Sequence, residues 1–239
     1  MRRFLELDAF RGLAITGMVI FHFFFDLSLL GIQPRDMFVG GWNIFQKSIA
    51  SLFLLIVGMS LTISYARAVK KHKGPQLVMK YLRRGGLVFG VGLLITLVTY
   101  MVYPEQYIVF GILHMIGIAI MLSLLFIRFH HLNLLLGILF VYFGFVVKDM
   151  FVSTKLWLWL GLMYEGFVTL DYYPLLPWFG VVLIGMFLGK TLYPKGQRKH
   201  KIELPFQKEL AWMGQRSLVI YLIHQPVMLG LMMLYLQTV

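Results

Sequence analysis

Long apolar stretches, separated by short polar segments, recur along the whole chain of 239 residues. Seven of them have roughly the 20 residues that an α-helix needs to cross a bilayer. They predict membrane-spanning helices at 10–30, 41–66, 82–102, 107–127, 132–150, 173–193 and 215–237. No polar stretch between them is long enough to build a core of its own. The fold class is therefore predicted to be all-α, a polytopic transmembrane helix bundle in which 1–239 form a single membrane domain.

Two connecting segments are longer than the others. The segment 149–172 has a contiguous apolar run of only about ten residues, so we expect it to lie at the interface on the outer face. The segment 194–214 is basic and cytoplasmic in this scheme, with a predicted surface helix at about 204–213. The residues of this helix that can face the interface are Leu204, Phe206, Leu210 and Trp212. A plain linker whose lysines are attracted to lipid is the alternative.

The net charge of +12 is distributed unevenly between the two sides of the membrane. With the connecting segments assigned alternately, 18 Lys and Arg residues fall on one side and four on the other. The positive-inside rule then puts the N-terminus in the cytoplasm and the C-terminus outside. The charge therefore reflects topology in a lipid bilayer. The plasma membrane is the expected location, and nucleic acid is not expected as a partner.

The first apolar segment is predicted to be a retained span rather than a signal peptide. It is full length and continues into "DLSLLGIQPRD" without a small-residue cleavage site. The chain also contains no cysteine, which excludes disulfides, thiolate metal sites, iron–sulfur clusters and a cysteine nucleophile. Any chemistry must come from other side chains, and no metal is expected.

One face of the first span carries ionisable residues, namely Asp8, Arg11, His22 and Asp26. A helix advances about 100° per residue, so Arg11 and His22 point within about 20° of each other over about 16 Å of rise. Ionisable groups at membrane depth are costly unless they are paired or face water, so the stripe predicts a polar interior or cavity. His22 and Asp26, at i and i+4, suit a carboxylate that orients an imidazole base. A structural hydrogen bond between helices is the alternative.

Two further histidines lie in other predicted spans. His114 lies in the outer half of the fourth span, and His224 lies near the middle of the seventh, with Tyr221 on the same helical face. Each histidine alone is as consistent with a buried structural role as with a site. Three histidines at similar depth on three helices favour a reaction chamber.

Candidate ligand contacts lie at the two ends of the predicted spans. At the outer end of the sixth span, Asp171, Tyr173 and Trp178 are candidates for binding a polar substrate. Interfacial aromatic residues also serve as membrane anchors, so the alternative for Tyr173 and Trp178 is anchoring. The candidates for holding a phosphorylated ligand on the cytoplasmic side are Arg11, Arg83 and Arg84.

This layout fits three classes of protein. Arginine for an anion inside and a histidine base in the outer half suit transfer of an acyl group from a cytosolic thioester to an acceptor outside. A proton-coupled transporter of a small polar or anionic solute also uses buried His and Asp, but many transporters have an internal repeat, which we do not find here. A bis-histidine haem protein would pair two of His22, His114 and His224. A retinal protein is excluded because the seventh span has no lysine.

Five segments carry a family resemblance: "LDAFRGLAITGMVIFH", "LFLLIVGMSL", "YIVFGILHMIGIA", "DYYPLLPWFGVVLIGMFLG" and "SLVIYLIHQPV". In this order they resemble the heparan-alpha-glucosaminide N-acetyltransferase catalytic-domain family. The resemblance covers most of the chain. The spacing of Arg11 and His22 is also similar to a motif in the first helix of the wider membrane acyltransferase superfamily. The sequence is identified as a small prokaryotic member.

The resemblance implies an enzyme that binds acetyl-CoA, or another acyl-CoA, on the cytoplasmic side and moves the acyl group to an extracytoplasmic acceptor. It makes Arg11 a residue of the donor path, His22 the catalytic histidine and His224 the late histidine of the family. Lysosomal members have a reactive histidine in the first luminal loop, where "GIQPRDMFVGGW" has none, so a ternary mechanism with His22 as base is expected. The implied acceptor is an amino sugar, another cell-envelope glycan or a lipid-linked sugar, and a homodimer is a further candidate assembly.

Overall fold

A computed structural model describes residues 4–199 and 202–238 of the chain. These residues form eight α-helices, two short 3-10 helices and no β-strand, with two isolated β-bridges in loops. The α-helices are α1 Leu5–Leu29, α2 Gly40–Ala68, α3 Pro75–Val102, α4 Ile112–Phe126, α5 His131–Val147, α6 Leu175–Leu192, α7 Gln207–Gln215 and α8 Ser217–Thr238. The predicted all-α fold class is confirmed.

Five of these helices, α1, α2, α3, α6 and α8, are long and apolar enough to cross a membrane. The helices α4 and α5 are also apolar but have 15 and 17 residues. They are therefore about 23 and 26 Å long, less than the roughly 30 Å of a hydrocarbon core. The multi-pass membrane character of the chain is confirmed, whereas the number of seven spans and the sidedness of the termini stay predictions.

The chain folds into two compact units, Met1–Ile56 with His200–Val239, and Val57–Lys199. The first unit contains α1, the first part of α2, α7 and α8. Here α7 lies against the N-terminal half of α1 at two glycines. A β-carbon at Gly12 would collide with the carbonyl oxygen of Leu210, and one at Gly214 with that of Asp8. Small residues are what allow two helices to come this close in a membrane.

The surface helix predicted at 204–213 corresponds to α7, which begins and ends slightly later. The buried residues of α7 are Ala211 and Gly214, whereas Phe206, which precedes it, and Trp212 are exposed. The other two residues predicted to face the interface, Leu204 and Leu210, are partly exposed, so all four have surface available for it. His200 and Lys201, in the basic segment 194–214, lie outside the described residues.

The second unit contains the rest of α2 together with α3, α4, α5 and α6. Its helices also meet at glycines: Gly85 of α3 meets Gly117 of α4, and Gly137 of α5 meets Gly180 of α6. A β-carbon at any of these four positions would lie closer than 3.0 Å to an atom of the neighbouring helix. The helices of this unit therefore pack through small residues, as is usual for membrane bundles.

The segment 149–172 contains one 3-10 turn and no α-helix. Backbone hydrogen bonds tie its end to the loop that precedes α4. The N–H of Leu170 donates to the carbonyl of Gln106, and the N–H of Tyr173 donates to that of Phe110, both at 2.9 Å. This pairing brings the residues before α6 to the start of α4. The location of the segment on the outer face stays a prediction.

Candidate functional site

The first unit brings two of the predicted histidines together. His22 on α1 and His224 on α8 are joined by a hydrogen bond of 3.0 Å between His22 Nδ1 and His224 Nε2. The two ring centroids are 4.9 Å apart. His224 is buried, and His22 is partly exposed. The two residues form one polar site between two apolar helices.

The proton positions in this pair follow from its neighbours. His224 Nδ1 lies 2.8 Å from the carbonyl oxygen of Tyr221, and a carbonyl only accepts, so this nitrogen carries a proton. In a neutral ring, His224 Nε2 is then an acceptor, and His22 Nδ1 is the donor. The second nitrogen of His22, Nε2, keeps its lone pair. The geometry therefore makes His22 Nε2 the basic atom of the pair.

A second polar pair lies on the same two helices. The side-chain amide nitrogen of Gln225 donates to Asp26 Oδ1 at 3.2 Å, and Asp26 is completely buried. The hydrogen bond between Asp26 and His22 that the sequence predicts is not formed within the described part of the chain. The i, i+4 spacing puts both side chains on one face of α1, but His224 of α8 accepts the Nδ1 proton. His22 is therefore oriented by His224, together with the backbone carbonyl of Met18 one turn earlier on α1.

The predicted donor-binding residue Arg11 is part of an ion pair. Its Nη1 donates to Asp8 Oδ1 at 2.8 Å, and the Gln215 amide donates to Asp8 Oδ2 at 3.3 Å. Asp8 is buried where α7 crosses α1. Pairing offsets much of the cost of keeping both charges there. The contact fixes the position of the guanidinium on the surface of α1.

The other two predicted donor-binding residues, Arg83 and Arg84, lie in the second unit on α3 and are exposed. The helix α3 has 28 residues, or about 42 Å, which exceeds the roughly 30 Å of a hydrocarbon core. The helix is therefore long enough for its first turns to extend into the headgroup region. Both arginines have the exposure that binding an anion from solution requires.

In the second unit, His114 has both ring nitrogens engaged. Its Nδ1 accepts the N–H of Gly111 at 3.2 Å. Its Nε2 lies 3.3 Å from the hydroxyl of Thr96, and that hydroxyl donates its own proton to the carbonyl of Ile108 at 2.7 Å. The hydroxyl oxygen of Thr96 must therefore accept from Nε2–H. With both nitrogens used in this way, His114 connects α3 to the start of α4 and has no lone pair left to act as a base.

Asp171 binds the N-terminus of α4. Its Oδ2 accepts the backbone N–H of Ile112 at 3.0 Å, and a β-carbon at Gly111 would collide with the same oxygen. The first N–H groups of a helix have no partner within the helix, and a carboxylate there also interacts favourably with the helix dipole. Burial nevertheless raises the pKa of Asp171 to about 7, and the bond from Ile112 opposes this only in part. The residue links the segment before α6 to α4.

Replacing Asp171 by asparagine is expected to make the stability of the protein less dependent on pH. The folded-state pKa of about 7 lies above the ordinary value of 3.8, so the folded state binds this proton more tightly than the unfolded state does. The stabilisation is complete below the ordinary pKa and is lost as the pH rises through about 7. The unfolding temperature in detergent should therefore fall from about pH 5 to about pH 8 in the wild type, and fall less in Asp171→Asn.

The asparagine variant keeps a side-chain oxygen for the N–H of Ile112, so the cap itself is preserved. Asp149, an exposed acid of the same segment, provides the control. Asp149→Asn should show the pH dependence of the wild type. Equal pH dependence in Asp171→Asn and the wild type would contradict the raised pKa.

The predicted aromatic contacts are divided between the two units. In the second unit, Tyr173 is buried, and its ring centroid lies 4.9 Å from that of Trp178 on α6. In the first unit, the ring centroid of Tyr221 lies 5.8 Å from that of His224. Of these three residues, the structure places Tyr221 beside the histidine pair.

Two residues that contact predicted site residues, one in each unit, were not themselves predicted from the sequence. Gln225 is a neutral side chain, but a polar residue directly after His224 in an apolar helix is itself a signal. Thr96 gave a weaker signal, because a threonine in a membrane helix often bonds only to its own backbone. A search for polar residues of every kind in the spans would have included both.

Within residues 4–199 and 202–238, no three His, Asp or Glu side chains are arranged to hold a metal ion. The direct bond between His22 and His224 also differs from a bis-histidine haem site. In a bis-histidine haem site, the two ring nitrogens would each lie about 2 Å from the iron on opposite sides of it. The distance between these two nitrogens would therefore be about 4 Å. The observed 3.0 Å separation is that of a hydrogen bond.

The fold and the site define a helical membrane protein with a hydrogen-bonded histidine pair between its helices α1 and α8. Residues 3–226 match the family model described as heparan-alpha-glucosaminide N-acetyltransferase, catalytic. The chain belongs to this family, which confirms the resemblance seen in the sequence, and the family indicates a membrane acetyltransferase. The comparison with curated proteins gave no match, and neither did the comparison with solved structures.

Proposed function

We propose that this protein transfers an acetyl group from cytosolic acetyl-CoA, or another acyl-CoA, to an extracytoplasmic amino sugar, glycan or lipid-linked sugar at the plasma membrane. The observation that carries the proposal is the hydrogen bond between His22 and His224. With the protons assigned from the neighbouring carbonyl of Tyr221, it leaves a lone pair at His22 Nε2. Attack of an amine or hydroxyl on a thioester requires such a base. Membership of an acetyltransferase family supports this chemistry and does not favour a proton-coupled transporter.

In the proposed reaction, one bond to the acetyl carbonyl carbon forms and another breaks. The acceptor nitrogen or oxygen attacks the thioester carbonyl while His22 Nε2 takes the proton of the acceptor. The carbon–sulfur bond then breaks, and the CoA thiolate leaves and receives that proton. While His22 is positively charged, its Nδ1–H donates more strongly to His224 Nε2, which stabilises the charge. His22 is the catalytic base, and His224 is a positioning residue.

The proposed topology has seven spans, including the short helices α4 and α5, with the N-terminus in the cytoplasm. The excess of Lys and Arg in one set of connecting segments supports it. In this topology Arg11, Arg83 and Arg84 lie on the cytoplasmic side, where guanidinium groups can bind the phosphates of an acyl-CoA. The acceptor would approach from the opposite side.

For the acceptor we propose a contact with Tyr221, beside the histidine pair. Within the second unit, substrate binding by Asp171, Tyr173 and Trp178 stays a prediction. Tyr221 is supported by its contact with the His224 ring. For His114 we propose a supporting role, because both of its nitrogens are bonded within its own unit.

Acetyl-CoA binding tests the donor half of this proposal. Titration of the purified protein in detergent by calorimetry should show saturable binding. Arg11→Ala should weaken it by about ten- to a hundredfold, because a charged hydrogen bond to phosphate is lost. Arg11→Lys keeps a positive partner for Asp8 and should show an intermediate affinity, which separates a loss of donor binding from a loss of fold.

Arg35, an exposed arginine on the predicted outer side, provides the matched control. Arg35→Ala should bind acetyl-CoA as the wild type does. Wild-type affinity in Arg11→Ala would remove Arg11 from the donor site. No binding by the wild-type protein would count against the acetyltransferase and in favour of a transporter.

A further inference from the structure

Two oxygen atoms near the histidine pair, Asp26 Oδ2 and Gln225 Oε1, have no hydrogen-bond partner within the described residues. Both atoms are buried, and Asp26 as a whole is 0% exposed. They belong to one hydrogen-bonded pair, because the amide nitrogen of Gln225 donates to the other Asp26 oxygen, Oδ1, at 3.2 Å. Two acceptor atoms are therefore held close together without a donor.

A buried carboxylate oxygen without a donor is costly, particularly at membrane depth. Nearly all buried polar atoms in folded proteins have a partner, so this pair calls for one. The bond from the Gln225 nitrogen to Asp26 also fixes the orientation of the amide, because a flipped amide would turn its oxygen toward the carboxylate. The two free oxygens can be satisfied by a donor from outside the pair or by a proton on Asp26 Oδ2.

The position of the pair relates it to the proposed base. Asp26 follows His22 by four residues, one turn of α1 and about 6 Å of rise. Gln225 is the chain neighbour of His224 on α8. The substituents of a sugar ring extend over a distance similar to this rise along α1. An acceptor whose reacting group lies at His22 Nε2 would therefore present its adjoining groups to the two free oxygens.

We propose that Asp26 and Gln225 form a subsite that binds a hydrogen-bond donor of the acceptor, either a hydroxyl beside the acetylated group or an ammonium. The inference rests on the proposed function and gives the class of its acceptor. Both free atoms accept hydrogen bonds when the carboxyl group of Asp26 is ionised. The subsite therefore selects acceptors that present a hydrogen-bond donor at this position and disfavours those that present a sulfate, phosphate or carboxylate there.

The test is acetylation of glucosamine by the purified protein with acetyl-CoA. In Asp26→Asn, an oxygen remains for Gln225, but an NH2 group replaces the free carboxylate oxygen. We expect the KM for glucosamine to rise about ten- to a hundredfold while the Kd for acetyl-CoA stays unchanged. The double variant Asp26→Asn/Gln225→Glu returns a carboxylate to the pair from α8 and should recover most of the loss. Asp149→Asn, which removes an exposed acid, should behave as the wild type.

Monodeoxy analogues of glucosamine identify the bound group. If a hydroxyl is bound, one analogue should lose about tenfold or more in kcat/KM with the wild type and little with Asp26→Asn. If the ammonium is bound, a hydroxyl is the group that is acetylated, and all monodeoxy analogues that keep this hydroxyl should behave alike. A wild-type KM for glucosamine in Asp26→Asn would overturn the subsite alone. Failure of the wild type to bind acetyl-CoA or to acetylate any of these acceptors would overturn the proposed function itself.

Discussion

Purified His22→Ala protein is expected to bind acetyl-CoA with wild-type affinity and to acetylate glucosamine about 10²- to 10⁴-fold more slowly. The substitution removes the nitrogen that takes the proton of the acceptor. His224 keeps its bond to the carbonyl of Tyr221, so the packing of α8 should change little. Measurement of kcat and of the Kd for acetyl-CoA in one detergent preparation separates loss of chemistry from loss of fold.

Two further variants test whether this effect is that of a base. His131→Ala removes an exposed histidine of α5 and should leave kcat unchanged. His224→Ala keeps the His22 ring but removes the acceptor of its Nδ1–H, so kcat should fall by about tenfold and its pH profile should shift. If His22→Ala retains more than about a tenth of the wild-type kcat, His22 is not the general base.

Alanine at the glycine crossing of α1 and α7 is expected to have the largest effect on stability. A β-carbon at Gly12 or Gly214 would meet a backbone carbonyl of the other helix, and a carbonyl cannot rotate away as a side chain can. Overpacking of this kind costs about 1–3 kcal/mol. Gly12→Ala and Gly214→Ala should therefore each lower the unfolding temperature in detergent by roughly 2–12 °C. They should also weaken acetyl-CoA binding, because Asp8 and Arg11 lie at the crossing.

Glycines that face open space provide the matched controls. Apart from the backbone of its own helix and its chain neighbours, no described atom lies within 4 Å of a β-carbon built at Gly86 on α3 or at Gly230 on α8. Alanine is the better helix former, so Gly86→Ala and Gly230→Ala should leave the unfolding temperature unchanged or raise it slightly. Equal unfolding temperatures for Gly12→Ala and Gly86→Ala would show that the two helices separate at little cost.

The apolar helices were predictable from the sequence because a membrane environment requires long runs of apolar residues. The differences between prediction and structure lie at the ends of these runs. The predicted span 82–102 begins in the structure at Pro75, since its first turns are helical but basic and hydropathy cannot detect them. The predicted span 107–127 begins at Ile112, because the preceding residues pair with the segment before α6. Both differences come from backbone hydrogen bonds rather than from apolar character.

For the site, the sequence indicated which residues to consider but not which of them make contact. The i, i+4 spacing correctly put His22 and Asp26 on one face of α1. Spacing along one helix, however, cannot show whether His22 bonds to Asp26 on the same helix or to a residue of another helix. The bond to His224 is a tertiary contact, and so is the bond from Gln225 to Asp26. His114 shows the same limit, because its two partners come from different parts of the fold.

The hydrogen bond between His22 and His224 joins residues 202 positions apart, and the bond from Gln215 to Asp8 joins residues 207 apart. At synthesis rates of about 5–20 residues per second, α1 leaves the ribosome about 10–40 s before α8. Throughout that interval the polar groups of α1 lack the partners that α7 and α8 provide, and such groups are costly in lipid. Completion of the site is therefore a late event in biogenesis, and α1 needs shelter from the insertion machinery, or from other helices of the chain, until the last helix arrives.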